Sequence, residues 1–167
     1  MTSLLDEAIE SWTDVRNDAI AELENIPANR FDFVPAPGVR NVGELALHIA
    51  EVGLMMVGEL TRADGDFRRA SYDKLIAQYR APIDGAGGKR EIVAAMKRTL
   101  KEGVRAFQAA GELHLLGPIR RFDGKYGTRF AWMQHGIAHE EYHRGQIALC
   151  ARLMGIKPAL TQLIEGG

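Results

Sequence analysis

Between Thr128 and Gly155 the sequence describes one long helix, and its histidines limit what that helix can pack against. The segment His135–Leu153, HGIAHEEYHRGQIALCARL, has no proline and only two glycines. Good helix formers fill most of it, Thr128 suits an N-cap, and Gly155 suits a left-handed residue just past the end. A helix from about 129 to about 154 follows. On it Trp132, His135, His139, His143, Gln146, Cys150 and Leu153 alternate spacings of three and four and share one face. The ends of that stripe are apolar and its middle is imidazole and amide. A buried face carries so many polar groups only if something satisfies them.

Two histidines four apart lie about 40° apart around a helix axis and about 6 Å along it. One nitrogen from each can then converge on a single metal ion at about 2.0–2.1 Å. An isolated pair of this kind is as often solvated, or hydrogen-bonded in a core. Here His139 and His143 lie on the stripe that leads to Trp132, Cys150 and Leu153, which favours ligation, and the pair needs a third ligand from elsewhere.

The 167-residue length is that of one domain, residues 1–167, with room for a real core. A net charge of −1 leaves no basic field for nucleic acid and no acidic tail. The single cysteine excludes an intrachain disulfide and suits a reducing, cytoplasmic setting. The opening MTSLLDEAIESW has acids where a signal peptide carries bases. No stretch approaches the roughly 18 apolar residues of a membrane span.

Taken in order, Ser3 or Thr2 caps a first helix, with Leu5, Ile9, Trp12, Val15, Ala19, Leu23 and Ile26 at helical spacing and Pro27 ending it. Residues 27–40 hold three prolines and Gly38 and read as a long loop. Asn41 and Glu44 form a capping box for a second helix to about Arg62, with Leu45, Ile49, Val52, Met56 and Leu60 inward. Residues 63–88 loosen, with a short helix at Ser71–Arg80. A third long helix spans about Lys89 to Ala110, and Gly111 closes it. A hairpin-like crossing at Arg121–Arg129 leads into the His-bearing helix. The tail after Lys157-Pro158 is a short helix or coil. Four long amphipathic helices with little strand signal predict an all-α four-helix bundle, with a short extra helix or loop between the second and third long helices.

Bundle cores place metal sites between facing helices, so the other histidines are candidates for the third ligand. His114 sits in the loop-like stretch GELHLLG. His48 lies at the edge of the second helix's buried face; alone it reads as a satisfied core histidine, and beside His139 and His143 as a ligand. Three histidines with open positions form a common catalytic arrangement. His135, one turn before His139, is a pocket residue rather than a fourth ligand, because three ligands in one helical row converge poorly.

His48 in GELALHIAE, and the pair in HEEYHRGQIALCARLMG with its following Arg144-Gly145-Gln146, resemble the DinB family of bacterial four-helix metalloproteins. Phe31-Asp32-Phe33 through Pro37-Gly38 to Gly43-Glu44-Leu45 resembles that family's approach to its second helix. The likeness runs over about residues 3–156, and 63–88 match no part of it. It implies His48, His139 and His143 as ligands of one divalent ion. It also implies chemistry related to thiol-dependent S-transferases and mycothiol-dependent isomerases: a low-molecular-weight thiol cofactor and a small-molecule substrate. Homodimers that pair through long helices are implied too, and Leu4 and Ala8 are apolar positions beyond the first helix's core stripe.

The same residues, His139-Glu140-Glu141-Tyr142-His143, satisfy the HExxH pattern of zinc hydrolases, in which the glutamate is the base. Residues 144–149 lack the downstream histidine of the longer form, and Glu165 is the remaining distant ligand. Glu140 points about 100° from His139, which suits a solvated acid. Cys150 reads as core. Glu44 and Glu51 flank His48, where either can accept its free N–H or stand solvated. Arg144 and Gln146 line a pocket or bind carbonyls. Imidazole donors suit zinc or nickel and accommodate iron or cobalt. Two readings stand: a metal-dependent enzyme, and a non-catalytic stress- or damage-response protein whose metal is structural or sensory.

Overall fold

The computed structural model describes residues 2–166. The four long helices are α1 (Leu4–Asn25), α2 (Val42–Thr61), α4 (Lys89–Ala110) and α6 (Arg129–Leu153); α3 (Tyr72–Tyr79), α5 (Glu112–Leu116) and α7 (Ala159–Gly166) are short. Local chemistry sets their ends. Ser3 Oγ accepts the Asp6 N–H at 3.1 Å while the Asp6 carboxylate accepts the Ser3 N–H. Asn41 and Glu44 close the same reciprocal box at 2.8 Å in each direction. Thr128 Oγ1 accepts the Ala131 N–H at 3.0 Å. At the far end of α6, Gly155 takes φ +76°, and the Ile156 and Gly155 N–H groups return to the Ala151 and Arg152 carbonyls.

α1 packs on α4 and α6, and α2 packs on the same two helices. Consecutive long helices α1 and α2 are therefore diagonal partners, as are α4 and α6. Both diagonal links cross an end of the bundle, which is why residues 26–41 form a long connection. The other diagonal link contains α5 and a small antiparallel hairpin, Pro118–Arg120 (β1) with Tyr126–Thr128 (β2). The hairpin starts earlier than the Arg121–Arg129 expectation, and Arg121–Lys125 form its turn. Residues 63–88 are pinned by Phe67, Leu75 and Ile83, all buried, and by the Phe67 N–H to Arg120 carbonyl bond at 3.0 Å.

The apolar core has two halves. One gathers Ile20, Leu23, Val42, Ile49, Met96 and Ile147; the other gathers Leu5, Trp12, Met55, Leu60, Phe107 and Met133. Between them lies a polar layer to which every long helix contributes. Arg16 donates Nη2 to Glu140 Oε1 at 2.5 Å and Nε to Oε2 at 2.7 Å, while Trp12 Nε1 donates to Oε1 at 2.8 Å. Arg16 Nη1 donates to Thr99 Oγ1 and to the Met96 carbonyl. α2 makes room with Gly53, where a Cβ would stand 2.6 Å from Arg16 Nη2.

Several side chains sit otherwise than periodicity suggested. Glu140 is 1% exposed rather than solvated, because Arg16 neutralises it inside the bundle. The buried residues of α6 include Met133, Ile137, Glu140, His143, Ile147, Cys150 and Ala151, so only part of the histidine stripe is buried, and His135 and Leu153 are exposed. On α1 the buried position is Arg16, with Val15 half-buried, and Ala8 belongs to the core rather than to an outer face. His114 lies in α5 and its Nε2 meets the Leu60 carbonyl at 3.0 Å. Glu22 accepts the Ala159 and Leu160 N–H groups, so the tail is a helix tied to α1. Among the described residues no helix is long and apolar enough to cross a membrane.

Candidate metal centre

α2 and α6 lie side by side, and His48 faces His139 and His143 across their contact. His139 Nε2 is 3.3 Å from His48 Nε2 and 3.1 Å from His143 Nε2. Two nitrogens about 2.0–2.1 Å from one ion at a tetrahedral angle lie about 3.3 Å apart, so this spacing fits one small cation. Among the described residues these three histidines form the group able to hold a metal, with one ligand atom each and all within 4.8 Å.

The tautomer of His143 fits as well. His143 Nδ1 lies 2.6 Å from Gln146 Oε1, an acceptor, so Nδ1 carries the proton and the Nε2 lone pair points to the centre. A neutral imidazole has one N–H to give, and His139 has two nitrogen neighbours around its Nε2, so one N–H cannot serve both contacts fully, and a cation at the centre would accept a lone pair from each ring. His139 Nδ1 is buried without a protein partner. Burial is the main force holding His48 and His139 near about 4, against an ordinary 6.5. Arg40 and His143 add to this at His48; His143, His48 and Arg40 add to it at His139. Burial also lowers His143, against the Gln146 bond, and Arg40 lowers it further. Neutral imidazole, the form that ligates, is thus the resting state at neutral pH.

A cleft of about 950 Å³ opens beside the histidines, with the 35–40 loop, α2 and α6 as walls. His48, His143, Gln146, Cys150 and Arg40 line it, and a side lobe of about 280 Å³ shares His48, Arg40 and Glu51 and adds Tyr72. Cys150 is 2% exposed, and burial raises its thiol pKa above the usual 9, which suits core packing and not a nucleophile. Neither acid expected to orient His48 does so. Glu44 accepts the Asn41 N–H, and Glu51 pairs with Arg80 at 3.4 Å.

His135 is exposed, its ring packed on Trp132 outside the triad. Arg144 pairs with Asp18 at 3.0 Å and with Glu141. Glu165 pairs with Lys157. Glu140 is committed to Arg16 and Trp12, so the glutamate of the HExxH pattern is not free to act as a base. Arg40 and the Trp12–Arg16–Glu140 network were missed at the sequence level. Arg16 carries no signal in its own helix, because its partner stands 124 residues away.

The family model of the DinB superfamily matches residues 11–147. The chain belongs to the DinB superfamily. Two solved structures share the fold. A DinB-like protein, YjoA, from Bacillus subtilis is 20% identical, with a TM-score of 0.67 over 89% of this chain and 92% of that one. A putative DinB family member from Exiguobacterium sibiricum 255-15 is 17% identical, with a TM-score of 0.65 over 93% and 95%. No curated protein matches the sequence. At these identities the two structures bear on the DinB fold alone.

Proposed function

We propose that His48, His139 and His143 hold one divalent ion, zinc or nickel by preference, with iron or cobalt also compatible, and that the protein is a metal-dependent enzyme acting with a low-molecular-weight thiol. The observation that carries this is the cleft of about 950 Å³ against His48 and His143. Three protein ligands leave at least one coordination position, and here that position faces room for a small molecule. A divalent ion there supplies charge that lowers the pKa of a thiol or water.

The chain's own residues supply the rest. Gln146 keeps the His143 proton on Nδ1 and so keeps Nε2 available. The walls at Leu45, Leu47 and Leu149 give an apolar part of the substrate an apolar surface to lie against. S-transfer or isomerisation of a small molecule, in the cytoplasm, is the activity we assign. The buried, unpaired Cys150 suits that compartment. A non-catalytic stress- or damage-response role is the competing outcome. The hydrolase reading loses ground because Glu140 is engaged elsewhere.

The test has two stages. Protein purified without chelator should carry about one divalent ion per chain, and His139→Ala/His143→Ala should carry almost none. The cobalt form should then develop a sulfur-to-metal charge-transfer band with small thiols, altered by His48→Ala. Equal metal content in wild type and double variant sinks the site; a cobalt protein indifferent to every thiol leaves non-catalytic binding. A homodimer belongs to the same reading, although Ala8 is not free to serve it. Light scattering that finds only 18.4 kDa particles across a dilution series removes the dimer.

A further inference from the structure

The cleft is lined by one arginine, the solvent-exposed Arg40, which is paired with no acid among the described residues. Arg40 directly precedes the Asn41 cap of α2 and lines both the main cleft and its side lobe, as His48 does. Among the described residues its guanidinium makes no ion pair and no side-chain hydrogen bond, whereas Arg80 in the same lobe is paired with Glu51 and Asp84. Two of the acids here are already used: Glu44 closes the α2 capping box and Glu51 holds Arg80, while Asp73, also in the side lobe, sits in the first turn of α3 and is not paired with Arg40.

Three neutral imidazoles leave the full charge of a divalent ion in place, and Arg40 adds a further positive charge near it. Its field reaches all three ligand histidines. A lone cation beside a cation site opposes metal binding. The arrangement becomes favourable when an anion lies between the two. A guanidinium is also the group whose planar fork matches a carboxylate.

We propose that the small thiol of this site carries a carboxylate, which Arg40 binds while the sulfur faces the three-histidine centre. This rests on the metal-and-thiol reading above. Arg40 is then a specificity residue. It selects acidic thiols over neutral ones, and the side lobe gives the remainder of the molecule a place to extend.

The test uses the cobalt-loaded full chain at fixed ionic strength, titrated with 3-mercaptopropionate and with 2-mercaptoethanol, following the charge-transfer band. Comparing each thiol between wild type and Arg40→Gln cancels their different acidities. Arg40→Gln should weaken 3-mercaptopropionate about tenfold or more and leave 2-mercaptoethanol within about twofold. Arg40→Lys should recover part of the loss, because it restores charge without the fork. Cobalt d–d bands identical in all three proteins verify that fold and metal site are intact. Equal losses for both thiols, or none for the acid, overturn the carboxylate assignment and leave the metal site standing. A wild-type protein that takes up no cobalt, or whose cobalt ignores both thiols, overturns the parent reading and this inference together.

Discussion

At the scale of single residues, the centre depends on imidazoles being neutral and on one amide holding a proton where it belongs. Removing any of His48, His139 or His143 leaves two ligands, so each alanine variant should lose metal in elemental analysis. Gln146→Leu removes only the acceptor for His143 Nδ1. It should keep the ion at saturating metal but weaken affinity about 10–100-fold in a chelator competition. The low proton affinity of His48 and His139 also has a cost in the metal-free protein. Folded, they protonate near about 4; unfolded, near 6.5. Above pH 6.5 neither state binds the proton and stability is unaffected. As pH falls from 6.5 toward 4 the unfolded chain takes up protons that the folded one refuses, and stability declines. Denaturant midpoints of the metal-free protein should drop over that window, and His48→Gln/His139→Gln should flatten the drop. A midpoint as pH-dependent in the variant as in wild type would place the titrating groups elsewhere. The triad was legible in the sequence because two members share one helix and His48 lies on an amphipathic partner. Arg40 was not, since its meaning lies in the lack of a neighbour.

At the scale of elements, the four long helices were legible almost to the residue, because Ser3, Asn41, Thr128, Gly111 and Gly155 mark their ends by local chemistry. Their rotation about their own axes was not. Apolar spacing on α6 favoured the histidine stripe as the buried face; the core takes His143 and Cys150 from it, leaves His135 and Leu153 exposed, and accepts Glu140 as well. That choice depends on Arg16 from α1 and on the space left by Gly53 of α2, neither of which a single helix's periodicity contains. The pair fixes α1 against α6, so breaking it should be expensive. Glu140→Ala or Arg16→Ala leaves a buried charge alone and should cost about 3–5 kcal/mol in denaturant unfolding. Arg16→Met/Glu140→Leu removes both charges and should be more stable than either single variant, less what Trp12 Nε1 loses. Gly53→Ala should be strongly destabilising in wild type and much less so beside Arg16→Met, since the nearest obstacle to its Cβ is the Arg16 guanidinium. Additive costs for those last two substitutions would show that Gly53 serves something other than the ion pair.

At the scale of the whole molecule, the question is whether a metal at the three histidines would build the fold or merely occupy it. The diagonal placement of α1 and α2 was beyond the sequence, because helical periodicity reports that a face is buried and not which neighbour buries it. Once the bundle is closed, both halves of its core are complete without the histidines. Ile49, Met96 and Ile147 fill one half, and Trp12, Met55 and Phe107 the other. The triad lies at the border of the core, where His48 and His139 are half-buried and a cleft opens. Small domains that need a metal to fold lack such a core. Chelator-treated protein should therefore keep its helical circular dichroism and a cooperative melt. Added metal should raise the midpoint only as mass action requires, by about 2.7 kcal/mol at a free concentration one hundred times Kd. His48→Ala should abolish that increment without lowering the midpoint of the metal-free form by more than a modest amount. A chelated protein that unfolds outright would make the ion a structural element. The open position beside the cleft would then lose its claim to chemistry.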